Sequence, residues 1–244
     1  MNAHSTLWQA PPTSALDLDP DLGQSQSQRQ PNTSLADHVI AHPANVHVVR
    51  PLQPLLTKQE SDIFLHELLC CCTDILLCAT QDSPEDNNER GHAVFLTTAK
   101  RDALDRASSL WNSPGQWPPT EALSKVEIVY LSTHVQLAAF LSSNLKMFSR
   151  ASVVVVDGLI DLCKHSTDSA QSSGSPIDNL LLGRLLAALV SLTCQRICIS
   201  IPFHVPDSTR TLLDYYCGRE STLAPHGTVT SLRHSRRHDL SSLI

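Results

Sequence analysis

Four consecutive valines, Val153 to Val156, run directly into Asp157. β-branched side chains are stiff and pack well on a pleated surface, so the run reads as a strand. No polar residue alternates within it. A strand without alternation is buried on both faces, as in a parallel sheet covered by helices on each side. That one inference excludes most all-α and all-antiparallel folds. It also places Asp157 at the carboxyl end of a central strand, where open α/β sheets bind their ligands.

The rest of the sequence alternates in the same sense. Asn45–Val49, Ala93–Leu96, Val126–Tyr130 and Ile197–Ile201 read as further strands. Helices are expected over Thr57–Ala79, Arg101–Leu110, Thr133–Met147, Ile177–Cys194 and Asp207–Tyr216. Thr57 followed three residues later by Glu60 is a capping-box signature for the first of these. Within Thr133–Met147, Val135, Leu137, Ala138, Leu141 and Leu145 are expected to face inward. Strands separated by helical crossovers give a right-handed, parallel arrangement. Asp62–Thr80 and Leu180–Thr193 are the most apolar stretches. The first carries His66, Glu67 and Asp74, and the second falls short of the roughly 20 residues a bilayer requires. Both read as core helices.

Three segments are predicted along the 244 residues: a disordered N-terminal tail over 1–40, an α/β domain over 41–225, and a basic flexible tail over 226–244. The first tail is rich in Pro, Gln and Ser and cannot bury enough apolar surface to offset its chain entropy. Loops are expected at Gln81–Gly91, Trp111–Thr120 and Ser166–Ser175. Charged residues make up 17% and the formal net charge is −6, which gives no global attraction to nucleic acid. The one basic cluster, Arg233, Arg236 and Arg237, supplies the candidate DNA contacts. Eight cysteines are present. Cys70, Cys71 and Cys72 point about 100° apart on a helix and cannot hold one ion together. Cys163 and His165 have no second pair at zinc spacing. The cysteines are therefore read as core residues and no metal is expected. No Gly-x-Ser-x-Gly elbow is present. His66-Glu67 lacks the second histidine of a zinc protease.

Asp157 stands where P-loop nucleotide hydrolases place the carboxylate that holds Mg²⁺. The phosphate loop that should accompany it is missing. The turn from the first strand to the first helix is Arg50-Pro-Leu-Gln-Pro-Leu-Leu-Thr57-Lys58, and no glycine occurs between residues 24 and 90. A phosphate loop needs glycines so that its N–H groups can wrap the phosphates closely. Pro51 and Pro54 remove two donors outright. Thr57 and Lys58 have the right chemistry in the reverse order, and form at most a vestigial phosphate loop. ATP and Mg²⁺ are not expected to bind in the P-loop manner, and no cofactor is expected.

The order of a first helix, His92-Ala-Val-Phe-Leu-Thr-Thr98, Lys125-Val-Glu-Ile-Val-Tyr130 leading into Gln136-Leu-Ala-Ala-Phe-Leu141, then Val153-Val-Val-Val-Asp-Gly-Leu159, resembles the compact RecA-like recombinase paralogues. It is most similar to the SWIM-domain-associated proteins of animal Shu-type complexes. The resemblance covers about residues 45–204. It implies a RecA-like, P-loop-NTPase-type parallel sheet flanked by helices, and a SWIM-domain zinc protein as partner. It also implies contact with recombinase and single-stranded DNA, and a nuclear role in homologous recombination repair. By position only Asp157 carries over, as a Walker-B-like residue. The carboxylate that orients water in RecA-like enzymes follows the second strand. Thr97, Thr98 and Ala99 stand there instead, with no carboxylate before Asp102. The expectation is a non-catalytic or weakly active subunit. The alternative is a P-loop-lacking RecA-like subunit of the Elongator complex, which acts on transfer RNA.

Overall fold

The computed structural model describes residues 34–41, 45–81, 91–112, 120–164, 176–224 and 229–234. Among them, seven strands form one sheet in the order β3-β2-β4-β5-β1-β6-β7. The strands are β1 (Val46–Pro51), β2 (His92–Thr97), β3 (Val126–Tyr130), β4 (Ala151–Asp157), β5 (Ile197–Ser200), β6 (Arg219–Leu223) and β7 (Val229–His234). The first six are mutually parallel, and β7 joins β6 antiparallel. The parallel sheet flanked by helices that the sequence leads one to expect is observed, with β5 between β1 and β4.

The valine run does what its composition dictates. Val153, Val154, Val155 and Val156 are all fully buried. Val153 and Val155 join Val49, Ala93, Phe95 and Cys198 on one face of the sheet. Helices α1 (Leu35–Ala41), α2 (Lys58–Gln81) and α3 (Arg101–Ser109) cover that face. Val154 and Val156 join Val94, Leu96, Ile197 and Ile199 on the other. There the cover is α5 (His134–Ser143), α6 (Leu145–Arg150), α7 (Leu159–Leu162), α8 (Asn179–Val190) and α9 (Asp207–Tyr216). A short α4 (Thr120–Ser124) precedes β3. At about 25 cal/mol per Å² of apolar surface removed from water, two such cores are the main stabilising contribution.

Several boundaries depart from expectation for identifiable reasons. The ordered chain starts before residue 41. Ser34 and Asp37 form a reciprocal cap, with Asp37 N–H donating to Ser34 Oγ (3.1 Å) and Ser34 N–H to Asp37 Oδ2 (3.2 Å). Leu35, Ala36 and Val39 are then buried against α2. The expected flexible tail from 226 contains β7, which is held by the backbone ladder to β6. The predicted helix Thr133–Met147 is two helices broken at Asn144. Leu137, Leu141 and Phe148 face the core, whereas Val135 (63% exposed), Ala138 and Leu145 (60%) do not. At about 100° per residue, Leu137, Leu141 and Phe148 share one face across the break, whereas Val135, Ala138 and Leu145 fall away from it. Trp111, expected in a loop, is buried, and its Nε1–H donates to Cys70 Sγ (3.2 Å). The loops 82–90 and 166–175, and residues 1–33, lie outside the described residues.

Six of the eight cysteines are buried and all are free, in keeping with their reading as core residues. His66 Nδ1–H donates to the Ala107 carbonyl (2.9 Å), leaving Nε2 to meet the Cys70 thiol (3.5 Å). The pair ties α2 to α3. Burial pushes the Cys70 thiol up to about 12, so it acts as packing and not as a nucleophile. None of the described helices is long and apolar enough to cross a membrane.

Candidate functional site

Parallel strands all end on the same side, so the last residues of β2, β4 and β5 meet there. They are Thr97, Asp157 and Ser200. Thr97 Oγ1–H donates to Asp157 Oδ2 (2.8 Å), and Ser200 Oγ–H donates to Asp157 Oδ1 (2.6 Å). The direction of each bond is fixed from behind. Ala99 N–H donates to Thr97 Oγ1 (2.9 Å), and Gly158 N–H donates to Ser200 Oγ (3.3 Å). Each hydroxyl thus accepts from an amide and turns its own proton to the carboxylate. The arrangement suits an ionised Asp157. Burial acts in the opposite sense and prevails, holding the carboxyl above its usual range, with the Ser200 and Thr97 hydrogen bonds lowering it in part.

Gly158 makes this geometry possible. Its φ of 78° lies in the left-handed region, and a Cβ placed on it would sit 1.9 Å from Thr98 Oγ1. The sharp turn lets α7 begin directly after the strand. Asp157 lines a cleft of about 520 Å³ that runs from Pro51 at the end of β1, past Leu55 and Phe64, to Phe203 after β5.

The turn before α2 faces this cleft, and two of its N–H groups are already engaged. Glu60 Oε2 accepts the N–H groups of Leu56 and Thr57, both at 2.9 Å. Glu60 N–H donates to Thr57 Oγ1 (3.1 Å), completing the capping box. The amide donation, first of all from Thr57, holds the Glu60 carboxyl below its usual range. The chain's own carboxylate therefore occupies the helix N-terminus that would receive a phosphate. Lys58 is exposed, and neither it nor Thr57 borders the cleft. Asp102 lies on α3 and pairs with Arg106 (3.1 Å).

The remaining candidates lie elsewhere. Arg233 stands on β7, across from Glu220. Arg236 and Arg237 lie outside the described residues. Among the described residues no group of three or more His, Cys, Asp or Glu could hold a metal ion. Sequence reasoning found Asp157 but missed Thr97 and Ser200 as its partners. Their signal was positional: each is the last residue of a strand adjacent to β4.

No known protein-family profile matches the sequence, and no curated protein matches it. Among solved structures, a RadB recombinase is similar, with 16% sequence identity and a TM-score of 0.49, over 77% of this chain and 79% of that one. So distant a likeness decides nothing about function.

Proposed function

We propose that this chain is a non-catalytic RecA-like subunit that stabilises a SWIM-domain partner and supports recombinase on single-stranded DNA during homologous recombination repair. One observation above all supports the non-catalytic part. In the turn where a phosphate loop would stand, two N–H groups are bonded to Glu60 and two positions are proline. The Thr57 hydroxyl is taken up in the cap. A turn so arranged has two fewer amides and two prolines in place of donors for a triphosphate, and Lys58 does not border the cleft. The partner class comes from the sequence resemblance. A subunit that holds no nucleotide derives its assembly energy from apolar and hydrogen-bonded contacts.

Two measurements test the reading. Calorimetric titration with Mg·ATP should give no binding tighter than about 1 mM, an affinity worth roughly 4 kcal/mol. Micromolar binding would remove the non-catalytic assignment. Affinity purification from cells, with mass spectrometry, should recover a SWIM-domain protein and recombinase. Recovery of Elongator subunits would transfer the chain to transfer RNA modification.

A further inference from the structure

The cleft that Asp157 lines has the wrong charge for a nucleotide and a consistent charge for something else. Among the described residues lining it there is no Lys or Arg and one histidine, His204, but there are three aspartates, Asp62, Asp157 and Asp161. Asp62 is neutralised by Arg106 at 2.7 Å, and Asp161 by Lys164. Asp157 differs. Its two partners are neutral hydroxyls, so its carboxyl borders the cleft with no cationic side chain bonded to it. Each of its oxygens accepts one of these bonds and retains a second lone-pair direction. A phosphate would meet repulsion here, whereas a cation would be attracted.

The rim is apolar. Leu55, Phe64 and Phe203 line the cleft. Leu52 and Leu56 stand in the same turn as Leu55, at 45% and 84% exposure. Three leucines presented within five residues are an unusual cost for a surface turn, and such patches mark contact surfaces. An anionic floor beneath an apolar rim defines the chemistry of its occupant.

We propose that the cleft is the docking site for a basic, apolar segment of the partner protein. In this arrangement an arginine or lysine reaches Asp157, and its apolar neighbours cover Leu52, Leu55 and Leu56. The proposal rests on the reading of the chain as a nucleotide-free assembly subunit and names the chemistry its partner presents. Arginine suits the position, because its guanidinium is weakly hydrated and retains its charge when buried against a carboxylate.

The first test uses the full chain alone, with butylguanidinium chloride as the probe and backbone amide NMR as the readout. Saturable shifts at Thr98, Gly158 and Ser200 are expected, with the roughly millimolar affinity of so small a ligand. Asp157→Asn should abolish them, and Mg·ATP should not compete. Absence of shifts, shifts that survive Asp157→Asn, or saturation by Mg²⁺ alone would each overturn the cation site. The second test measures affinity for the co-expressed SWIM-domain partner. Leu56→Asp and Asp157→Asn should each weaken it by about tenfold or more. Leu180→Asp, on the exposed face of α8, should leave it unchanged. Wild-type affinity in both cleft variants would overturn the docking surface while leaving the assembly role intact. Failure of the wild-type chain to retain a SWIM-domain partner would remove the assembly role, and the butylguanidinium titration would still decide the cleft.

Discussion

Asp157 carries two opposed influences, and their balance is measurable. Two hydroxyl donors favour its charge, and burial, the larger effect, raises its proton affinity in the folded state. A folded-state pKa above the unfolded value means that the folded state binds the proton more tightly. The resulting stabilisation is fully present below the unfolded value, near about 4, and is lost as pH rises through the raised folded value. The melting temperature of the wild-type chain relative to Asp157→Asn should therefore fall between pH about 4 and neutrality. A difference that rises over that interval would show the hydrogen bonds to outweigh burial. The next residue gives a second expectation. Gly158→Ala must adopt a left-handed backbone and also displace Thr98, so it should cost at least about 1–2 kcal/mol in urea denaturation. Little of this environment was legible in the sequence. The position of Asp157 followed from the valine run. Thr97 and Ser200 lie 60 and 43 residues away in the chain and meet it only because β2, β4 and β5 are neighbours.

The elements divide by what made them readable. β4 and β5 were plain because two-sided burial demands runs such as Val153–Val156. β6, Arg-Glu-Ser-Thr-Leu, has no such run, although Glu220, Ser221, Thr222 and Leu223 are buried. Glu220 is tolerated there because Arg50 and Arg210 neutralise it, and both are distant or on another element. No local pattern could announce that. α1 was missed because seven residues next to a polar tail show too little periodicity, and α2 supplies the surface that holds them. The broken helix pair α5 and α6 yields a test of register. Leu137→Ala, at a fully buried position, should cost about 2–5 kcal/mol. Val135→Ser and Leu145→Ser, both more than half exposed, should stay within about 0.5 kcal/mol. Leu141→Ala should be a second large loss, and equal costs at all four sites would overturn this assignment of inward and outward positions. In β4, Val155→Asp places an unpaired carboxylate between the sheet and α2. It should remove several kcal/mol, a large share of the roughly 5–15 kcal/mol that stabilises a domain.

At the scale of the whole molecule, the sheet ends on one side at β7, which covers the edge of β6. β7 adds an antiparallel ladder to β6, and Val229 packs against the same core as Leu223. Without β7, the N–H and C=O groups of β6 that now pair with it would face solvent, the arrangement that invites edge-to-edge association. Glu220 would still be held by Arg50 and Arg210, so the charge network would survive while the ladder was lost. A chain ending at Ala224 should therefore melt at a lower temperature and self-associate in light scattering, whereas one ending at His234 should match the full-length chain in both measurements. The same pair separates fold from DNA contact. Arg236 and Arg237 are absent from both shortened chains, but Arg233 is kept in the longer one. If these arginines touch phosphates, affinity for single-stranded DNA falls in the chain ending at His234 with its melting temperature unchanged, and the salt dependence of binding becomes shallower by about 0.7 per contact removed. Unaltered DNA affinity in that chain would remove Arg236 and Arg237 from the contact and leave Arg233 and the rest of the domain to supply it.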